Sequence, residues 1–328
     1  MSPTKDQILF KFRFVENGNV AQIFSHKAIA TQEEIILGIN STLFYENITD
    51  TLVRDKRLII ASTSPVSSNS QTFSELASNY VYTLEVYNVN PGYLKKHIDQ
   101  ISSRKRTEQR KVFLQEVGED HLFRSVTCPE CQSTIDLSDF QRTSYIYCRF
   151  CQSIFKENQP TMTKGDKYCV CDECQMFNRV QYYTEVYFYF LFFIYGFYCK
   201  RSQVCDNCAD SVFWKTFWLN LIFLIGVPSS VWIKIKSMIG RDRYFQQLPK
   251  ANANSLKGKY QKAEPLYNQM YQQFLEHPGL LMNEGLGHLI GNDITTAMSC
   301  FKRSLKSCSN YYPVLSLLDS LQSSDGKN

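Results

Sequence analysis

The sequence predicts a multidomain α+β protein: an amino-terminal β-barrel or sheet with a carboxy-terminal helix, two cysteine-built metal modules, a hydrophobic membrane segment and closing α-helical hairpins. Three observations carry that prediction. Residues 8 to 89 break into short β-rich stretches, eight cysteines stand in four C-x2-C pairs between Cys128 and Cys208, and beyond Tyr244 the chain turns polar with helical spacing. A length of 328 residues suits two or three domains rather than one. A chain 44% hydrophobic and 14% aromatic, with a net charge of only +5, is neither disordered, nor collagenous, nor a small disulfide scaffold. The expected segments are residues 1–117, 121–158, 165–210, 211–240 and 244–322.

In the first segment, strands are expected over Ile8–Val15, Val20–Ser25, Glu34–Gly38, Ser41–Tyr45, Ile48–Val53, Leu58–Ser62 and Tyr80–Tyr87. Asn90-Pro91-Gly92 then opens a helix with Leu94, Ile98 and Ile101 on one face. About seven strands followed by one amphipathic helix resembles the pleckstrin-homology-like architecture, and Phe44-Tyr45-Glu46-Asn47-Ile48 leading into Val53-Arg54-Asp55-Lys56-Arg57-Leu58 is similar to the central strands of its bacterial members. The resemblance covers roughly the first 115 residues and implies binding of a membrane surface, peptide or protein, not catalysis. Lys95 to Lys111 holds seven Lys/Arg against Asp99 and Glu108, a local +5 equal to the whole-chain excess. Any electrostatic partner is expected to meet this stretch first.

Met1-Ser-Pro-Thr-Lys-Asp runs into Ile8-Leu-Phe-Lys-Phe-Arg-Phe, whose charges interrupt any signal-peptide core, so a cytoplasmic first half is expected. In a reducing compartment, closely paired cysteines are metal ligands before they are disulfides. Cys128-Pro-Glu-Cys131 and Cys148-Arg-Phe-Cys151 stand sixteen residues apart, two thiolate pairs that suit a tetrahedral zinc ion, with a hairpin between them. The motif resembles a zinc ribbon throughout its length. Its structural reading outweighs phosphate contact through Arg142, Arg149 and Lys156, since surface basic residues are usually just solvated.

Cys171-Asp-Glu-Cys174 and Cys205-Asp-Asn-Cys208 form a second set, separated by thirty residues in which Tyr182 to Tyr198 holds eleven Phe or Tyr among seventeen positions. Two incompatible readings follow. If the four thiols share one zinc, the aromatic run returns on itself; if the run spans a bilayer, the pairs lie on opposite sides. The single site is favoured, because the fourteen apolar residues from Val186 to Cys199 are short for a span and tyrosine hydroxyls are costly in hydrocarbon. Lys200-Arg201 would also occupy the wrong flank. Cys169 and Cys199 are spare, and either could replace a ligand.

Val212 to Ile233 is a largely apolar stretch of twenty-two positions, with Lys215 and Asn220 near its start, Gly226-Val-Pro-Ser-Ser as an interruption, Trp214, Trp218 and Trp232 placed as interfacial anchors, and Lys234, Lys236, Arg241 and Arg243 following. Membrane attachment is expected here. With both flanks cytoplasmic, an insertion broken at Pro228 competes with a full span. The order of a knuckle, Phe213-Trp214 and a Gly-broken apolar stretch resembles membrane-anchored zinc-ribbon proteins of bacteria without a known activity. Farther on, Gly258-Lys-Tyr260-Gln-Lys-Ala263, Tyr267, Gly285, Ala297 and Phe301, with Pro278 between, are similar to tetratricopeptide repeats. About two units fit, and so few bury little alone, so a partner is expected. Gly285-Leu-Gly287-His-Leu-Ile-Gly291 follows no strand and is not a nucleotide loop.

The expected function is a membrane-anchored scaffold with two zinc ions, meeting protein partners through its amino-terminal domain and its carboxy-terminal repeats. Its ligands are Cys128, Cys131, Cys148 and Cys151, then Cys171, Cys174, Cys205 and Cys208. A nucleic-acid-binding protein, using the first ribbon and the basic helix, is the alternative. A thiol-disulfide or zinc enzyme ranks last: His26, His97, His121, His277 and His288 show no metal-ligand spacing, and four-cysteine sites leave no coordination position for water.

Overall fold

The structure, a computed structural model, describes residues 7–16, 19–21, 24–39, 41–65, 67–68, 80–157, 159, 166–191, 194–221, 227–239 and 244–325. At residues 19, 67–68, 186–191, 194–199, 219–221, 227–229, 238–239 and 324–325 it describes the backbone alone. The chain divides into two units, Met1–Asp139 and Phe140–Asn328, and antiparallel strands and helices both build it, as an α+β protein requires.

In the first unit, β1 (Ile8–Glu16) alternates so that Phe10, Phe12 and Phe14 face inward. Around it lie β2 (Asn19–Val20), β3 (His26–Ala30), β4 (Glu34–Leu37), β5 (Ser41–Phe44), β6 (Ile48–Arg54), β7 (Arg57–Ser62), β8 (Ser67–Ser68) and β9 (Val81–Tyr87). The antiparallel path runs β6-β7-β9-β1-β3-β4-β5-β8, and among the described residues nothing pairs its two ends. The strand expected at Val20–Ser25 is displaced. β2 is a two-residue return onto β1, and the true partner strand pairs Phe10 with Ala28 and Ile8 with Ala30. Small alanines fit opposite large side chains but give a weak hydropathy signal, whereas Phe24, inside the expected strand, is 81% exposed.

Helix α1 (Pro91–Glu116) begins where Asn90 Oδ1 accepts the Gly92 N–H at 2.8 Å, with proline in the first turn. Leu94, Ile98 and Ile101 join the sheet's aromatic core. The basic stretch of α1 is largely engaged: Lys95 pairs with Asp99, Lys105 with Glu33 at 2.6 Å, Arg110 with Asp139 at 2.6 Å, and Arg106 donates to the Thr49 carbonyl at 3.1 Å. This unit ends with the hairpin of β10 (Ser125–Thr127) and β11 (Thr134–Asp136).

The second unit contains the small hairpin β12 (Ile146–Tyr147) and β13 (Ile154–Phe155), then a sheet of β14 (Tyr168–Val170), β15 (Phe177–Leu191) and β16 (Ile194–Cys205). The aromatic run is therefore a strand pair. β15 and β16 stay in register from Val180↔Cys205 to Leu191↔Ile194, and the chain comes back to where it left. Among the described residues seven helices follow: α2 (Asp206–Leu221), α3 (Val227–Ile239), α4 (Leu248–Leu256), α5 (Tyr260–Tyr271), α6 (Pro278–Ile290), α7 (Ile294–Ser307) and α8 (Tyr312–Asp325). α4 packs on α5 and α6 on α7 as hairpins. Gly285 is needed there, because a Cβ would lie 2.4 Å from the buried Phe301 ring.

The expected membrane segment is overturned. Among the described residues no helix is long and apolar enough to cross a membrane. Val212–Ile233 falls on two separate helices, and Pro228 stands at the start of the second, where its missing N–H costs nothing. Part of the segment finds cover within the protein: Val212, Phe213 and Ile233 pack with Val180, Tyr183 and Val204 of the β15/β16 pair, while Trp214, Trp218 and Trp232 are exposed. Lys234 pairs with Asp210 between the two helices. Attachment through residues 212–233, and the cytoplasmic-flank topology built on it, are therefore not supported.

Candidate metal centres

Three of the four knuckles share one local geometry. In each, the first cysteine's N–H bonds to a carbonyl five residues on: Cys128 to Ser133 at 2.9 Å, Cys148 to Ser153 at 2.9 Å, Cys171 to Met176 at 3.0 Å. Its carbonyl accepts from the residue after the second cysteine, from Gln132 at 2.9 Å, Gln152 at 2.7 Å and Gln175 at 3.0 Å. That glutamine adopts a left-handed φ of +67°, +66° or +58°, a conformation that favours glycine. The recurring C-x2-C-Q, ending at Gln132, Gln152 and Gln175, is the sequence signature of this turn. The fourth knuckle differs: Cys205 ends β16 and Cys208 lies in the first turn of α2.

These turns bring the predicted ligands together. The sulfurs of Cys128, Cys131, Cys148 and Cys151 all lie within 4.8 Å of one another, as do those of Cys171, Cys174, Cys205 and Cys208. Two sulfurs on a tetrahedral zinc, with bonds of about 2.3 Å, stand about 3.8 Å apart. The Cys174 and Cys205 sulfurs are 3.9 Å apart. The Cys205 N–H points at the Cys171 sulfur from 3.3 Å, supporting charge there. Both sets are geometrically able to hold a metal ion.

Charge explains why such a cluster wants a cation. Hydrogen bonds from Cys174, Cys205 and Cys208 hold the Cys171 thiol well below its ordinary range. The reciprocal contacts with Cys171 push Cys205 and Cys208 up. The sulfurs cannot all ionise side by side unless a divalent ion offsets their repulsion.

Buried asparagines seat these modules on the helices of the second unit. Asn310 accepts from the Tyr147 N–H at 3.0 Å and donates to its carbonyl at 2.8 Å, gripping the residue before Cys148. Asn283 does the same to Phe177, three residues after Cys174, at 2.7 Å each way, and Asn252 adds a bond to the Phe177 carbonyl at 3.0 Å. In the first unit, α1 seats the first knuckle: Gln100 donates to the Cys131 carbonyl at 2.8 Å, and Ser103 accepts from Thr134 at 2.9 Å.

Cys169 is not a ligand. Its buried sulfur accepts from Gln203 Nε2 at 2.8 Å, and burial pushes its thiol up to about 12. The side chain of Cys199 lies outside the described residues. Of the basic residues beside the first ribbon, Arg149 lies over Phe150 and Lys156 over Tyr145. A further donor group that the sequence reading missed joins Glu284, His288 and Cys300. Glu284 and His288 stand four residues apart on α6, a spacing present in the sequence, while Cys300 comes from the neighbouring α7.

Compared with known proteins, the chain matches no family model, no curated protein and no solved structure. The pleckstrin-homology-like and zinc-ribbon resemblances thus rest on their motifs alone, and the carboxy-terminal array is described by its geometry, as helical hairpins, rather than as tetratricopeptide repeats.

Proposed function

We propose that this protein is a zinc-stapled scaffold that binds protein partners. One zinc ion is held by Cys128, Cys131, Cys148 and Cys151 and a second by Cys171, Cys174, Cys205 and Cys208. The observation that carries the reading is the closed donor set: four sulfurs converge in each centre, leaving no position for water or substrate. The amino-terminal sheet and helix and the carboxy-terminal hairpins supply the partner-binding surfaces. Engagement of α1's cations within its own unit speaks against a nucleic-acid role.

The test is differential thiol labelling with peptide mapping, before and after a strong chelator. The reading expects the eight cluster thiols to be unreactive in the native protein and released together with zinc. C-x2-C pairs that react without chelator and cycle between thiol and disulfide would replace the scaffold with a redox protein.

A further inference from the structure

The geometry points to a third metal site, of the open kind, in the carboxy-terminal hairpins: Glu284, His288 and Cys300 bind one divalent transition-metal ion of the zinc class through a carboxylate, an imidazole and a thiolate, leaving a fourth position for water or an exogenous donor. Glu284 and His288 stand four residues apart on one face of α6, and Cys300 reaches them from α7, its hairpin partner. One ligand atom of each lies within 4.8 Å of the other two. Zinc bonds of about 2.0–2.3 Å place tetrahedral ligands about 3.3–3.7 Å apart, so an ion closes the triangle by about an ångström.

The surroundings are those of a supported ligand set. Tyr260 donates to Glu284 Oε1 at 2.7 Å and Tyr271 to Oε2 at 2.7 Å, which orients the carboxylate and leaves each oxygen a lone pair. His288 Nδ1 lies 3.2 Å from Asp293 Oδ2, an arrangement that commits Nδ1 and presents Nε2 as the ligand atom. Asp293 is itself held as the cap of α7, accepting from Thr296 N at 3.1 Å. The Tyr260 ring lies against His288, tilted by 44° with centroids 3.9 Å apart, and Gly287 admits it: a Cβ there would lie 3.2 Å from Tyr260 Cδ2. A purely structural polar network accounts for the tyrosine–glutamate bonds. It does not require a thiol and an imidazole nitrogen to converge on the same carboxylate.

The site is independent of the two four-cysteine centres, and so is its test. Zinc per chain is measured on the full-length protein after zinc loading and exhaustive dialysis, for wild type, His288→Gln and Cys300→Ser, with circular dichroism confirming the fold. The inference expects each variant to hold one zinc fewer than wild type, and Tyr260→Phe to retain the ion but bind it about 10-fold to 100-fold more weakly. Equal zinc in wild type and both variants overturns it and leaves a structural network only. Loss of zinc from the four-cysteine centres would lower every sample alike, so the difference between wild type and variant reports this site alone.

Discussion

Replacing Asn283 by alanine tests whether the helical hairpins hold the second metal module in place. Asn283 is fully buried and makes three bonds: it accepts the Phe177 N–H at 2.7 Å, donates to the Phe177 carbonyl at 2.7 Å and donates to Asn252 Oδ1 at 2.9 Å. After truncation the Phe177 carbonyl keeps Asn252, and Asn252 Oδ1 keeps the Tyr267 hydroxyl at 2.9 Å. The Phe177 N–H is left buried without a partner, which costs about 1–3 kcal/mol, and the two lost donor bonds add about 1 kcal/mol each. A loss of about 3–5 kcal/mol is expected. Urea unfolding followed by tryptophan emission suits the purpose, because Trp214, Trp218 and Trp232, all three tryptophans of the chain, belong to the second unit. A chelator should also strip the second centre faster in the variant. A midpoint within about 0.5 kcal/mol of wild type would refute the clamp, since surface substitutions do no more than that.

Other outcomes follow from the same contacts. Cys205→Ser should abolish zinc at the second centre while Cys131→Ser abolishes it at the first, each removing one equivalent by mass spectrometry under native conditions; either variant releasing both ions would show the centres to be one. Burial among Tyr145, Phe177, Phe245 and Phe274 holds the His277 imidazole down to about 3 from its ordinary 6.5. Between those values the unfolded state binds more protons, so stability should fall as pH falls from 6.5 toward 3, at up to about 1.4 kcal/mol per pH unit. His277→Phe should flatten that slope in urea titrations at pH 4 to 7, and an unchanged slope would remove His277 as its source. Gly285→Ala forces a methyl against Phe301 and should destabilise by about 1–3 kcal/mol, with Phe301→Leu on top recovering part of the loss; a neutral Gly285→Ala would mean that the hairpin yields there.

Metal chemistry was legible in the sequence because it is local. A C-x2-C turn carries both ligands within one loop, and all eight cysteines named from spacing stand in the two clusters. Alternation made most of the amino-terminal strands legible for the same reason, with β3 missed because Ala28 and Ala30 signal burial weakly. The membrane reading failed for a physical reason. A hydropathy window over Val212–Ile233 counts apolar residues without seeing that they fall on two helices, or that Val212, Phe213 and Ile233 are covered by Val180 and Val204 from outside the window. Long-range polar clamps left no trace at all. Asn283 meets Phe177 across 106 residues and Asn310 meets Tyr147 across 163, and a buried asparagine reads in sequence like any loop residue.

Zinc-edge X-ray absorption on the zinc-loaded, full-length protein tests the central claim most directly. Two closed four-cysteine centres predict a first shell dominated by sulfur at about 2.3 Å, and an added Glu284–His288–Cys300 ion leaves that dominance intact. A shell dominated by nitrogen or oxygen at about 2.0–2.1 Å, or protein that retains no zinc, would contradict it.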